Sequence, residues 1–139
     1  MKTTINIDGI TLTATMTKKG EGTTGAFNLM HTKYRVILSV SGRECSFTFH
    51  DSHANWQKGA GASKQLIYDA LDCYISDAYA YLNSRDFNDF CNEYGYDMET
   101  DLKTAKMTFE GCHKAYQNLT KLLVWDDIEK LSEIVRGES

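Results

Sequence analysis

Proline is absent from this chain of 139 residues, so the ten glycines carry most of the information on where loops begin and end. No apolar run approaches the roughly 20 residues that span a bilayer. The start, Met1-Lys2-Thr3-Thr4, lacks the apolar stretch of a signal peptide. These absences predict a cytoplasmic protein that does not enter a membrane.

Sequence motifs for cofactors and metals are also missing. The chain contains no CxxC pair, no P-loop and no dinucleotide fingerprint. Isolated cysteines in a cytosolic protein are more often small buried side chains than disulfides or zinc ligands. We therefore expect no cofactor and no metal, and we expect four reduced thiols on apolar faces, namely Cys45, Cys73, Cys91 and Cys112.

Two short groups of residues leave catalytic or metal chemistry open. His50, Asp51 and His53 resemble part of a metal site, but no third spaced ligand motif accompanies them. Cys112 and His113 resemble a nucleophile beside a base, yet adjacent residues of a helix point about 100° apart. We expect surface histidines, a buried Cys112 and a protein that is not an enzyme.

Alternating apolar residues predict two β-hairpins. Asp8-Gly9 and Ser41-Gly42 are the favoured two-residue turns, and they pair Ile5 with Leu12 and Val36 with Phe47. The segments 17–32 and 50–62 show no periodicity, so they are expected to be a mobile hairpin tip or linker and a turn-rich connection.

Helical spacing dominates the remainder of the chain. Ser63 is a predicted N-cap for a helix to about Leu82, and Asp86 and Gly95 delimit a short one. A last helix is expected to start at Asp126 or Asp127. The sequence therefore predicts one α+β domain over residues 1–139, in which a four-stranded antiparallel sheet precedes three to four helices packed on one face. The longest helix carries an apolar stripe made of Leu102, Ala105, Phe109, Cys112, Tyr116, Leu119 and Leu123.

Charge is strongly segregated along the chain. Residues 1–68 carry a net charge of +4, residues 69–101 carry −8, and residues 102–139 are neutral. The middle part, here called the acidic segment, contains nine acids and Arg85 as its sole base. Such a surface repels phosphates and attracts a basic partner. The plainer interpretation is a solvated helix face on which several carboxylates serve as caps.

A glycine-rich stretch offers an alternative ligand site. Lys58, Gly59, Gly61 and Lys64 precede or open a predicted helix, and backbone amides at a helix N-terminus bind phosphates. A flexible connection between strand and helix is the other interpretation.

Residues 33–123 resemble a set of small phage and prophage proteins, mostly of unassigned function. The resemblance is carried by the patterns FxDFCxExGY and AxxxYxxCxxxxxxLxxL, with Phe109 in place of the tyrosine. It implies a fold and an origin in mobile elements more than an activity. The matched positions are Phe87, Asp89, Phe90, Cys91, Glu93, Gly95, Tyr96, Ala105, Phe109, Cys112, Leu119 and Leu122.

This resemblance implies an accessory inhibitor of a host defence system, with anti-CRISPR proteins as the leading class. The expected partner is a host protein or ribonucleoprotein with a basic surface, such as a CRISPR effector, without direct contact to nucleic acid. A protein that sequesters a nucleotide signal, another regulatory phage protein and an enzyme are the alternatives. The expected partner-binding residues are Asp69, Asp72, Asp77, Asp86, Asp89, Glu93, Asp97, Glu99 and Asp101.

Overall fold

A meander of four antiparallel strands precedes four helices, as the sequence predicts. The computed structural model describes residues 1–24, 29–54 and 63–137. Neighbouring strands pair in chain order, so each strand lies next to the one that follows it. The elements are β1 (Lys2–Ile7), β2 (Ile10–Thr24), β3 (Leu29–Val40), β4 (Arg43–Ala54), α1 (Lys64–Leu82), α2 (Phe87–Tyr94), α3 (Leu102–Leu122) and α4 (Trp125–Val135).

Both predicted hairpin turns and their registers are confirmed. In the turns, Asp8 and Ser41 adopt φ angles of 51° and 49°, and the glycines after them also have positive φ. This left-handed geometry matches the twist of the flanking strands and favours glycine at the second position. The pairing of Ile5 with Leu12 and of Val36 with Phe47 then places the apolar side chains on one face.

The prediction of a mobile tip or linker over residues 17–32 is wrong for the described part of that segment. β2 continues to Thr24 and β3 begins at Leu29, and these two residues are partners in the ladder. β4 likewise extends to Ala54 within the expected connection 50–62. Hydrogen bonding to β3 extends these strands without apolar alternation, because pairing depends on the neighbouring backbone as well as on the side chains.

The predicted boundaries of α1 and α2 are confirmed by their caps. The Ser63 Oγ accepts a hydrogen bond of 3.1 Å from the Leu66 amide. The Asp86 carboxylate accepts one of 2.8 Å from the Asp89 amide, and Gly95 closes α2 with a φ of 72°. α4 differs from the prediction, since it begins at Trp125 after Val124. Asp126 and Asp127 lie in its first turn, where negative charge favours the helix dipole.

The core lies between the sheet and α1, α3 and α4. The opposite face of the sheet exposes Thr17, Lys33 and Arg35. Two expectations about burial are wrong: Leu102 is 36% exposed, so the buried stripe of α3 starts at Ala105, and Cys73 is exposed. The largest side chains of the core are fully buried, among them Ile7, Leu12, Met16, Tyr34, Leu38, Ile67, Leu71, Ile75, Leu119, Leu122 and Ile128.

Candidate functional site

The acids of the acidic segment lie at the surface on α1, on α2 and on the connection to α3. α1 buries Ile67, Leu71 and Tyr74 on one side, so its acids lie on the side that faces solvent. All nine residues are exposed or partly exposed. We call this set the acidic surface; it consists of Asp69, Asp72 and Asp77 from α1, Asp86, Asp89 and Glu93 at α2, and Asp97, Glu99 and Asp101 before α3.

Basic side chains neutralise little of the acidic surface. The Arg136 Nε lies 2.8 Å from the Asp72 carboxylate, and the Arg85 guanidinium lies 3.8 Å from Asp89. Within residues 1–24, 29–54 and 63–137, the other seven acids form no ion pair. The acidic surface therefore keeps most of its negative charge.

Several of these carboxylates bind the local backbone, as the plainer interpretation predicts. Besides the Asp86 cap, Asp89 accepts a hydrogen bond of 2.9 Å from the Arg85 amide. Asp101 accepts one of 3.0 Å from the Asp97 amide, and Asp97 accepts one of 2.8 Å from the Glu99 amide. Such bonds fix the start of α2 and the turn before α3. These four acids therefore have a structural role whether or not they bind a partner.

Among the described residues, the carboxylates of three further acids, Asp69, Glu93 and Glu99, form neither a hydrogen bond with the backbone nor an ion pair. The Asp69 carboxylate accepts a hydrogen bond of 2.9 Å from the Gln65 side chain, which leaves its charge intact. Glu93 and Glu99 are exposed, and among the described residues neither carboxylate takes part in a hydrogen bond or an ion pair. These side chains can pair with a cation without disturbing a cap.

Asp77 differs from the other acids because it lines two adjoining depressions. One, here called the aromatic recess, has a volume of about 300 Å³ and is formed where α2 docks on α1 and α3. Partial burial of the carboxyl raises the pKa of Asp77, although the residue as a whole is exposed. The recess is lined by Ser76, Asp77, Ala80, Phe90, Tyr94, Tyr96, Thr108 and Cys112.

The second depression, the polar groove, runs from Asp77 towards β4 and has a volume of about 380 Å³. Tyr74 forms part of its lining, stacks on Phe47 at a centroid distance of 3.8 Å, and accepts a hydrogen bond of 2.8 Å from the Asn118 amide. Burial raises the pKa of Tyr74 to about 12. The phenol is therefore protonated at neutral pH and acts as a fixed polar group.

The sequence does not reveal that Asp77 shares a depression with three aromatic side chains. Tyr94 and Tyr96 lie on either side of Gly95, which ends α2, and both rings contact Phe90, at centroid distances of 4.9 and 6.0 Å. The available signal was the FxDFCxExGY pattern, which contains Phe90 and Tyr96 but does not indicate that they approach α1.

The alternative phosphate site is only partly covered by the structure. Lys58, Gly59 and Gly61 lie outside the described residues. Lys64 is the first residue of α1, and its ammonium lies 5.5 Å from the centroid of the Tyr68 ring. This cation–π distance gives Lys64 a neighbour within its own helix.

The residues that left enzymatic chemistry open do not form a nucleophile and base pair. Burial raises the pKa of the Cys112 thiol to about 11, and His113 stacks on Tyr81 at 4.3 Å. His50 and Asp51 lie on β4. In the described part of the chain, no three His, Cys, Asp or Glu side chains are grouped as metal ligands.

No family model, no curated protein and no solved structure matches the chain. In the described ranges, no helix has both the length and the apolar character needed to cross a membrane. The site must therefore be interpreted from its own geometry and charge.

Proposed function

We propose that the chain is a stoichiometric protein inhibitor of a host defence system, encoded by a phage, and that its target is a CRISPR effector. The observation that carries this proposal is the acidic surface, nine exposed or partly exposed acids of which two form ion pairs in the part of the chain that the structure describes. The phage origin rests on the resemblance of residues 33–123 to phage and prophage proteins.

The physical basis is competition for a site that normally holds nucleic acid. Proteins bind DNA and RNA backbones with clustered Lys and Arg side chains, and a large share of the affinity comes from these charges. Carboxylates spaced over α1, α2 and the segment before α3 offer the same side chains an alternative set of anions. The inhibitor then occupies the nucleic-acid-binding site of its target without contacting nucleic acid itself.

Phage protection tests this function directly. Hosts that carry different CRISPR types are infected while they express the wild type, and the wild type is expected to protect phage in at least one of them. The double variant Glu93→Lys with Glu99→Lys is expected to lose most of the protection, because it reverses two exposed acids that bind no backbone amide.

A matched control separates the effect of where the charges are reversed from the effect of the change in net charge. Glu129→Lys with Glu133→Lys makes the same change in net charge on α4, where both acids are exposed and lie outside the acidic surface. This control is expected to protect phage as well as the wild type. Absence of protection by the wild type in every host would rule out the anti-CRISPR function, and binding of cyclic nucleotides would be the next measurement.

A further inference from the structure

The aromatic recess combines rings, hydroxyls and one carboxylate. The Tyr94 residue is 51% exposed, whereas Phe90 is 2% exposed and forms part of the base. The Tyr96 hydroxyl donates a hydrogen bond of 3.3 Å to the Thr108 Oγ1. The recess therefore offers an open tyrosine ring together with the hydroxyls of Tyr96 and Thr108, which lie near the surface.

The charge inside the recess is negative and uncompensated. No basic residue is among those that line it. Lys114 lines the adjoining polar groove, but it forms no ion pair with Asp77. The Asp77 carboxylate also raises the pKa of Tyr94, Tyr74 and Cys112, in each case as a smaller contribution than burial. Its charge thus influences groups in both depressions, and among the residues that the structure describes no cation forms an ion pair with it.

These features favour a planar cation over other ligands. A guanidinium group stacks on aromatic faces and forms two parallel hydrogen bonds with a carboxylate. Anions are disfavoured by Asp77, and Glu93 adds further negative potential at Tyr94. The volume of about 300 Å³ lies at the lower end of the roughly 300–1,000 Å³ usual for small-molecule pockets. A single side chain fits this space better than a nucleotide.

We propose that the aromatic recess binds the guanidinium group of an arginine side chain presented by the protein partner, with Asp77 as the counter-ion and Tyr94 as the stacking surface. This inference rests on the proposed function, since it identifies the residue of the basic partner that the acidic surface anchors. The recess is then the specific contact within an otherwise diffuse electrostatic interface, because it combines a carboxylate with aromatic rings in one depression, which the other acids of the acidic surface lack.

The probe is a blocked arginine, N-acetyl-arginine-N-methylamide, titrated into the full chain while backbone amide resonances are recorded. Its citrulline analogue has nearly the same shape without the charge. The arginine probe is expected to shift resonances at Ser76, Ala80 and Thr108, and the citrulline analogue is expected to shift none of them. Asp77→Asn should weaken arginine binding at least about tenfold, the usual effect of losing a charge-assisted hydrogen bond.

Two further variants test which residues bind the arginine probe. Tyr94→Leu removes the open ring and should weaken binding about threefold, since cation–π contacts at exposed sites are modest. Glu129→Gln removes an exposed acid of α4 that belongs neither to the recess nor to the acidic surface, and it should bind the probe as the wild type does. Thermal melting of each variant shows that it is folded.

Equal binding of arginine and citrulline, or unchanged binding by Asp77→Asn, would overturn the inference. The proposed function and the binding of arginine in the recess can be contradicted independently of each other. If the probe binds as expected but the wild type protects phage in no host, the proposed arginine site stands and the proposed inhibitor function is wrong. If Asp77→Asn protects phage as the wild type does and the probe does not bind the wild type, the proposed inhibitor function stands and the proposed arginine site is wrong.

Discussion

Cys73 is the cysteine whose position in the structure differs from the sequence prediction. Cys45, Cys91 and Cys112 are buried, whereas Cys73 lies on the solvent side of α1 between acids. Partial burial raises its pKa, and the neighbouring carboxylates of Asp72, Asp77 and Asp69 raise it further. Cys73 therefore combines access to reagents with a low thiolate fraction at neutral pH.

Thiol labelling follows from these positions. We expect a disulfide reagent at pH 8 to modify one equivalent of thiol in the folded protein and four equivalents after denaturation. The labelling rate of this one thiol should increase as pH rises, because only the thiolate reacts. Cys73→Ser should abolish native-state labelling, and early modification of Cys112 in that variant would contradict the buried, protonated thiol.

The raised pKa of Asp77 predicts that the stability of the fold depends on pH. The folded-state pKa of this carboxyl is raised above its ordinary value of 3.8, mainly by burial. The folded state therefore binds its proton more tightly than the unfolded chain does, so the charge on Asp77 destabilises the fold increasingly as pH rises from about 3.8 through the raised pKa. Above the raised pKa the full destabilisation is present.

Asp77→Asn is therefore expected to melt at a higher temperature than the wild type at pH 7. The difference should shrink as pH falls through the same window, since wild-type Asp77 then becomes neutral. Thermal unfolding of both proteins between pH 3 and pH 7 measures this difference in melting temperature. Asp69→Asn serves as the reference, and the same pH dependence in that variant would show that the effect does not come from the recess.

At the scale of single elements, local chemistry was enough to predict both ends of α2 and the start of α1. A side-chain cap involves residues three positions apart, and a left-handed glycine needs no tertiary contact, so both are visible in the sequence. The extended parts of β2 and β4 are not predicted from the sequence, because they are held by hydrogen bonds to the backbone of β3 and lack the apolar alternation that signals a strand. The start of α4 was missed because Val124 has no capping side chain.

Burial varies along the apolar stripe of α3. Leu119 is fully buried between α3 and the rest of the core, so Leu119→Ala should destabilise the fold by about 2–5 kcal/mol. Leu102→Ala on the same stripe should have a much smaller effect, because Leu102 is 36% exposed. Denaturant unfolding compares the two, and similar losses of stability would show that the first turn of α3 is buried.

For the molecule as a whole, the amount of charge in each segment is visible in the sequence, but the arrangement of that charge in space is not. The four-stranded sheet and the helical side were predictable from periodicity, and the structure confirms them. The presence of Tyr94 and Tyr96 in one depression with Asp77 is not predictable, because it depends on how α2 and α1 each pack against α3. Local patterns carry no information about that packing.

The last prediction concerns association with the basic partner. Glu93→Lys and Glu99→Lys reverse exposed acids without removing a backbone hydrogen bond, whereas reversal of Asp89 or Asp101 also removes an acceptor from the amide of Arg85 or Asp97. The first pair should therefore change stability by less than about 0.5 kcal/mol, as surface substitutions usually do. Reversing Asp89 or Asp101 should also lower the melting temperature.

Kinetics with the effector that the wild type inhibits then distinguish binding from folding. Because charges are screened over about 8–10 Å in physiological salt, the wild-type on-rate should fall steeply between 50 and 300 mM salt. The Glu93→Lys, Glu99→Lys double variant should associate at least about tenfold more slowly at low salt, with a shallower salt dependence. The α4 double variant Glu129→Lys, Glu133→Lys is the control. If both double variants slow association equally, net charge alone determines the rate, and the acidic surface is not the binding face.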